Sequence, residues 1–385
     1  MSWGIVNDIL TAPDMNSDVL RINMDQMIHM LNPDFSSIYS FLKAMGKTRK
    51  VDSHKFQWVT DKYMPFVTQA DGAVSEVATS FSVDNGDIFN INDRLQNNNT
   101  GEVMLVTDIS SDTLTVTRGY GTTAAASITN DDYIINLHNS NALGSDTVKA
   151  KMTKLNTVEN YVEIFKRTSK IDKSSAKHGQ KLPINPRLRR IQKAGVEHIA
   201  GIERAFLFGE KKVDSSTYDT IAYNTGGIFS FITSNVVTDA DGALSKTEFI
   251  DWMENYLFAN GSDRKLVVCG SIITQALAHW FWDKTRLSPE FKKLGVSVTE
   301  FVTPSGKIAY FKHHELFKKT PALQGTALGL DVEELEVCSF RPNTLNMNIQ
   351  SNSVDAYVDE WLAEEGISVG EEARHSVLKG VTSYT

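Results

Sequence analysis

One long amphipathic helix constrains this chain more than any other feature. Residues Pro186 to Lys212 read PRLRRIQKAGVEHIAGIERAFLFGEKK. Asn185 stands as the N-cap and Pro186 at the first helical position, where its missing N–H costs nothing. Leu188, Ile191, Gly195, Ile199, Ile202 and Phe206 recur at steps of three and four, a single apolar stripe. Gly195, Ala200 and Gly201 are small, so another segment can pass close over the helix. Gly209, ahead of Glu210-Lys211-Lys212, marks the stop.

A chain of 385 residues is long enough for two or three domains. Its 41% hydrophobic and 22% charged residues, with a mean hydropathy of -0.24, are ordinary for a soluble protein. Cys269 and Cys338 have no metal-ligand spacing and form no disulfide framework, which points to a reducing compartment. The N-terminus carries Asp8 and Asp14 and has no basic n-region, so it does not read as a secretory signal. The uncharged run Leu266–Trp282 approaches membrane-span length. It holds Gly270-Ser271, Gln275 and His279, and divides into a strand (Leu266–Cys269) and a Ser271-capped helix.

The net charge of -8 argues against a general nucleic-acid binder. Its distribution is uneven. Lys149 to Lys193 holds 13 Lys/Arg against 3 acids, and Asp331 to Glu372 holds 11 acids against 1 Arg. Two such segments are either solvated faces or complementary surfaces that meet within or between subunits.

Taken in order, residues 1 to about 50 form an arm. Val19 to Leu31 makes a helical stripe ended by Asn32-Pro33, and Phe35 to Leu42 a second ended by Gly46. Neither can build a core, so both are expected to dock elsewhere. His54–Thr60 is a strand. From about 66 to 140 short alternating strands, placed at Asp87–Ile91, Val103–Leu105, Leu114–Val116 and Tyr133–Leu137, are separated by turn clusters such as Asp84-Asn85-Gly86. This block is a β insertion, a candidate small barrel. Asn160–Lys170 is a long strand leading to the central helix. Residues 226 to 335 alternate α and β, with a Ser245-capped helix to Phe258, strands at Val296–Val302 and Ile308–Lys312, and a hairpin through Pro304-Ser305-Gly306. The tail is β again: Leu335–Phe340, Leu345–Ile349, Ala356–Ala363 and Ser376–Val381.

No motif carries chemistry. Gly46-Lys47-Thr48 ends like a phosphate-binding loop, but Phe41 stands where the first glycine must be. Asp239, Asp241 and Glu248 match the later positions of a calcium loop, yet Val237 occupies its first position, and Ser245 with Glu248 is also a capping box. His313-His314-Glu315 reads as a polar hairpin, because neighbours in a strand point to opposite faces. No catalytic residue, cofactor site or membrane span is expected.

The order of parts resembles a tailed-bacteriophage major capsid protein with the Hong Kong 97-like fold. Several stretches are similar to the members whose extended loop carries a β insertion: Asn85-Gly86-Asp87 to Phe89, Glu102 to Thr107, Leu114 to Gly119 followed by Gly121-Thr122, and Glu197–Gly209. The resemblance implies an α+β chain with an N-terminal arm (1–53), an extended loop with the insertion (54–152), a peripheral domain with the spine helix (153–225), an axial domain (226–335) and a β return (336–385). It implies a virion shell subunit, assembled in the bacterial cytoplasm as pentamers and hexamers. The implied partners are a separate scaffolding protein, portal and decoration proteins, and packaged double-stranded DNA on the inner face. Arg187, Arg189, Arg190, Lys193, Glu197, Glu203 and Arg204 are the subunit-interface candidates. A tail or decoration component, or a calcium-dependent binding protein, is the alternative.

Overall fold

The computed structural model describes residues 38–141, 143–144, 147, 150–177, 185–215, 221–281, 286–287 and 299–385. The expected arm helix Val19–Leu31 lies outside them, as do the first residues of the expected strand Val296–Val302. The chain divides into two compact units: Val59–Thr157, and the chain up to Trp58 together with that from Val158.

In the larger unit the central helix runs Pro186–Phe208, capped as its sequence predicts: Asn185 accepts from the N–H of Arg187 and Leu188. It ends four residues earlier than the stretch to Lys212. Gly209 is extended rather than left-handed. A Cβ there would lie 2.4 Å from the Thr225 carbonyl oxygen, so the glycine permits a close backbone contact. The N–H of Gly227 donates to Gly209 across it, at 2.7 Å.

The buried face of the helix packs on a four-stranded sheet in the order Thr48–Lys50, Leu335–Asn346, Ala356–Val369, Glu163–Asp172. Two of these strands depart from the sequence reading. The pair expected at Leu335–Phe340 and Leu345–Ile349 is one strand with register shifts around Arg341. Pro342 is tolerated because the neighbouring strand Thr48–Lys50 pairs with Val337–Ser339, leaving the edge beside the proline free among the described residues. Ala356–Val369 continues six residues past the expected end at Ala363, through Glu364-Glu365-Gly366. Of the two helix glycines, Gly195 meets a ring: a Cβ there would stand 3.0 to 3.2 Å from the Trp361 indole, whose Nε1 donates to the Ile191 carbonyl. Gly201 faces open space, with only the tip of Arg204 within 4 Å.

The seven-stranded sheet follows the order Val236–Thr238, Ser376–Lys379, Ala327–Leu330, Arg264–Cys269, Ile308–His313, Thr299–Val302, Arg286–Leu287. Its central strand Arg264–Cys269 is parallel to one neighbour and antiparallel to the other. Alternate side chains of that strand serve different cores. Leu266 and Val268 join the cluster under the central helix, while Val267 and Cys269 join one with Phe249, Trp252 and Ile273. A strand buried on both faces reads as a continuous apolar run, which is what resembled a membrane span. No described helix is long and apolar enough to cross a membrane. The helix expected from Ser245 has its full capping box but changes from α (Lys246–Trp252) to a π turn (Met253–Leu257).

The smaller unit is a closed six-stranded barrel, in the order Val67–Asp71, Ser80–Val83, Thr113–Thr117, Val103–Ser110, Asp93–Asn97, Tyr133–Asn139. Phe81, Leu95, Met104, Val106, Leu114 and Ile134 fill it. The strand expected at Asp87–Ile91 is absent. Gly86–Ile88 is instead a 3-10 turn capped by Asn85, and the adjacent Ile88 and Phe89 are both buried, which strand alternation forbids. Gly86 is required, since a Cβ would fall 2.2 Å from the Ser111 carbonyl oxygen. Arg118 makes a bidentate pair with buried Glu102, at 2.8 and 2.7 Å. Burial pushes the Glu102 carboxyl up, but Arg118 and the N–H groups of Gly119 and Ala126 outweigh it and hold the group below the usual carboxylate range.

The two helix glycines therefore answer oppositely to substitution. Gly195→Leu drives a side chain into the Trp361 ring and lowers stability by roughly 1–3 kcal/mol. Gly201→Ala, exposed to open space, raises it by about 0.5–1 kcal/mol. Urea denaturation of the unassembled chain measures both.

Candidate functional site

The residues singled out on the central helix separate into an inward and an outward set. Glu203 is the clearest correction. Expected at a subunit surface, it is fully buried. It sits on the same face as Ile202, Phe206 and Leu207, and its carboxylate takes three hydrogen bonds. The backbone N–H groups of Ile38 and Tyr39 donate at 2.9 and 2.8 Å. His314 supplies the third contact, Nε2 to Oε1, at 2.9 Å.

The histidine's role follows from its other nitrogen. His314 Nδ1 accepts from the N–H of Leu316, capping the short helix Glu315–Lys319, so Nε2 carries the proton and donates to Glu203. His313-His314-Glu315 is thus no polar hairpin: His314 is a buried cap. A second carboxylate grips the same arm segment. Glu365, also buried, accepts from the Tyr39 hydroxyl at 2.6 Å and from Lys43 Nζ at 2.7 Å. Burial and the Glu365 charge push the Tyr39 hydroxyl far above its ordinary range. The arm helix Ile38–Ala44, ended by Gly46 at φ 72°, is therefore held through its first two N–H groups and two side chains.

Arg187 also turns inward. It pairs with Asp359 at 2.6 and 2.9 Å, reaches Asn348 and lies over the Tyr357 ring. Hydrogen bonds from Arg187 hold the Asp359 carboxyl below its usual range. Arg190 is exposed and donates to the Lys170 carbonyl. Glu197 is half-buried, bonded by Arg167 and 3.9 Å from Lys193. Arg189, Lys193 and Arg204 are exposed on the outer face. Neither Arg189 nor Arg204 has a carboxylate partner among the described residues.

The two oppositely charged segments meet within the subunit. Strand Glu163–Asp172 lies antiparallel to Ala356–Val369, and Arg187–Asp359 and Lys173–Asp355 bridge between the segments. Most of the acidic segment is in use elsewhere too. Glu364 takes Arg341, Glu334 takes Arg374, and Glu372 accepts from the N–H groups of Thr233 and Ser234. Glu333 and Asp355 are the acids of this segment that stay exposed.

Asp239, Asp241 and Glu248 serve the local backbone. Asp239 accepts from the N–H of Gly242, Asp241 from that of Ala243, and Glu248 closes the capping box with Ser245. Burial and the neighbouring Asp241 raise the Asp239 carboxyl. Among the described residues no group of three His, Cys, Asp or Glu side chains is disposed to hold a metal ion.

Loss of the Glu203 grip has a local signature. Glu203→Ala orphans three buried donors and costs about 1–3 kcal/mol for each. Trypsin then cuts the segment from Lys43 to Lys50 faster, while the barrel fragment survives as in wild type. A second outcome concerns pH. His375, fully buried, accepts the Asp331 N–H on Nδ1, and burial drives its pKa down to about 4. Below about pH 6.5 the unfolded chain binds a proton that the folded chain refuses, so this group's contribution to stability falls as pH drops from 6.5 towards 4. His375→Asn flattens the pH dependence of urea stability across that window.

Comparison with known proteins follows this geometry. No curated protein matches the chain by sequence. A chain from Mycobacterium phage Adephagia superposes with a TM-score of 0.51 at 9% identity, covering 98% of this chain and 98% of its own. One from Mycobacterium phage Cain gives 0.50 at 7% identity, covering 98% and 99%. At such identity the likeness fixes the fold alone. The model of the SU10 major capsid protein family matches residues 9–382, all but a few terminal positions. With a Hong Kong 97-like architecture and that match over residues 9–382, the chain belongs to the SU10 major capsid protein family.

Proposed function

We propose that this chain self-assembles, as pentamers and hexamers, into the icosahedral shell of a phage head enclosing double-stranded DNA. The family match across residues 9–382 carries the reading. The division of labour follows the resemblance: residues 1–53 act as the arm, 54–152 as the extended loop, 153–225 and 336–385 as the peripheral domain, and 226–335 as the axial domain. Assembly takes place in the host cytoplasm, on a separate scaffolding protein and around a portal, with decoration proteins added outside. The protein works without catalysis. Its buried polar groups are spent on cohesion of the subunit, and its interface residues are those left facing out: Arg189, Arg190, Lys193 and Arg204. Arg187 and Glu203 support them from within.

Light scattering with negative-stain microscopy tests the reading. Purified chain is expected to give rings or closed shells, alone or with co-expressed scaffold. A chain that stays monomeric with scaffold overturns it. Charge reversal at Arg189 and Arg190 together lowers shell yield at low salt, and wild-type yield at every salt concentration removes both residues from the interface.

A further inference from the structure

The sequence holds two Asn-Gly steps, Asn85-Gly86 and Asn260-Gly261. Such a step loses its asparagine amide more readily than other Asn steps, because glycine puts no Cβ beside the attacking peptide nitrogen. The fold treats the two in opposite ways. At the first, the Gly86 N–H donates to the Asp112 carboxylate at 2.8 Å, and Asn85 Oδ1 accepts from the N–H of Asp87. Gly86 is also buried. Nucleophile and target are both occupied.

At the second, Asn260 and Gly261 are exposed, and the Gly261 N–H has no hydrogen-bond partner among the described residues. Gly261 is left-handed at φ 89°, and a Cβ would stand 2.5 Å from Asp331 Oδ2, so glycine is required there. Asn260 Nδ2 donates to the Ala373 carbonyl at 3.4 Å. The carbonyl of the same peptide group carries the distinctive contact. Asn260 O accepts from Lys265 Nζ at 2.6 Å. Lys265 is buried, and its other bonds go to the Leu257 and Arg374 carbonyls, at 2.7 and 2.5 Å. None of these acceptors is a carboxylate. A buried ammonium so placed draws electron density out of the Asn260–Gly261 peptide group. It thereby stabilises the anion left when the Gly261 N–H loses its proton.

We infer that Asn260-Gly261 is a self-modification site, converted by water to isoaspartate with Lys265 as the activating group. Gly261 N bonds to Asn260 Cγ, the side-chain nitrogen leaves with the Gly261 proton as ammonia, and a succinimide ring closes. Water then adds to the ring carbonyl held by Lys265 and breaks the bond from that carbon to nitrogen. The chain now runs through the former side chain, and the former Asn260 carbonyl is a carboxylate beside Lys265. No oxidant or reductant takes part. A lysine that had only neutral acceptors gains a charged one. The site needs the fold of one subunit and not its assembly.

Peptide mapping of the aged full chain by mass spectrometry tests it. In the folded chain Asn260 is expected to convert at least about tenfold faster than Asn85. In urea the two steps convert at similar rates, since only the glycine then matters. The isoaspartate share at Asn260, read by isoaspartyl methyltransferase labelling, is higher folded than in urea. Lys265→Met slows conversion of Asn260 and leaves Asn85 unchanged. If circular dichroism shows that this variant does not fold, the pH profile of the wild-type chain replaces it. Burial lowers Lys265 to about 8, with Asp331 opposing the shift and Lys307 and Arg374 adding to it. His375 faces the same group. From about pH 7 to 9 the ammonium is lost, so conversion of the folded chain rises less steeply than in urea, where it follows hydroxide. Folded chain in which Asn260 converts no faster than Asn85 overturns the inference. So does an isoaspartate share equal to that in urea, a folded Lys265→Met chain with the wild-type rate, or parallel pH profiles.

Discussion

Two buried glutamates hold the larger unit together. Glu203 reaches up from the central helix and Glu365 from the longest strand, and both close on the arm helix Ile38–Ala44. A buried carboxylate is costly unless its oxygens are filled. Here the filling groups come from distant parts of the sequence: the arm, the loop at His314 and the strand residue Ser339. The arm contributes Ile38, Phe41 and Leu42 to the main core, yet apolar packing tolerates sliding. Hydrogen bonds from two consecutive N–H groups to one carboxylate do not. The arm helix is thereby fixed in register on the helix that supports the sheet.

The same two residues explain where sequence reasoning stopped short. The strand expected at Ala356–Ala363 stops short of Glu364-Glu365-Gly366, because two adjacent acids are rarely buried without partners. In the fold it continues to Val369 because Arg341 neutralises Glu364 and the arm satisfies Glu365. Glu203 is expected at a subunit interface, whereas its partners lie 111 and 165 residues away in sequence, too far for local signals to show. Local signals succeeded where the cause was local. The Asn185 cap, the Ser245–Glu248 capping box and the Gly46 stop are each set within a few residues. The barrel was visible as a β block through its turn clusters. Its strand at Asp87–Ile91 failed because Ile88 and Phe89 pack on one core from a tight turn that only Gly86 permits.

The candidate site was legible as charge and little else. Among the described residues no group of three His, Cys, Asp or Glu side chains is disposed to hold a metal ion, and the sequence carries no complete phosphate-loop spacing. What the sequence displayed was the segregation of basic and acidic stretches, and the fold changes their meaning. Much of the acidic tail segment is internal, paired with the neighbouring basic strand and with Arg341 and Arg374, while Glu333 and Asp355 stay exposed. Net charge over a window therefore counts residues that burial has already cancelled. Only the residues left outside can speak to a partner.

Once the internal pairs are set aside, the barrel stands out. Its ten carboxylates and two arginines account for the whole excess of eight negative charges in the chain, and the rest of the sequence is balanced. That imbalance is compatible with folding because the barrel closes on itself. A closed sheet has no free edge and needs no partner strand, and its core of Phe81, Leu95, Met104 and Leu114 is complete without help from outside. A module that is self-sufficient inside is free to carry a net charge outside that an open sheet of the same size could not offset, even with Lys151 bonded to the Asp87 and Phe89 carbonyls on its surface.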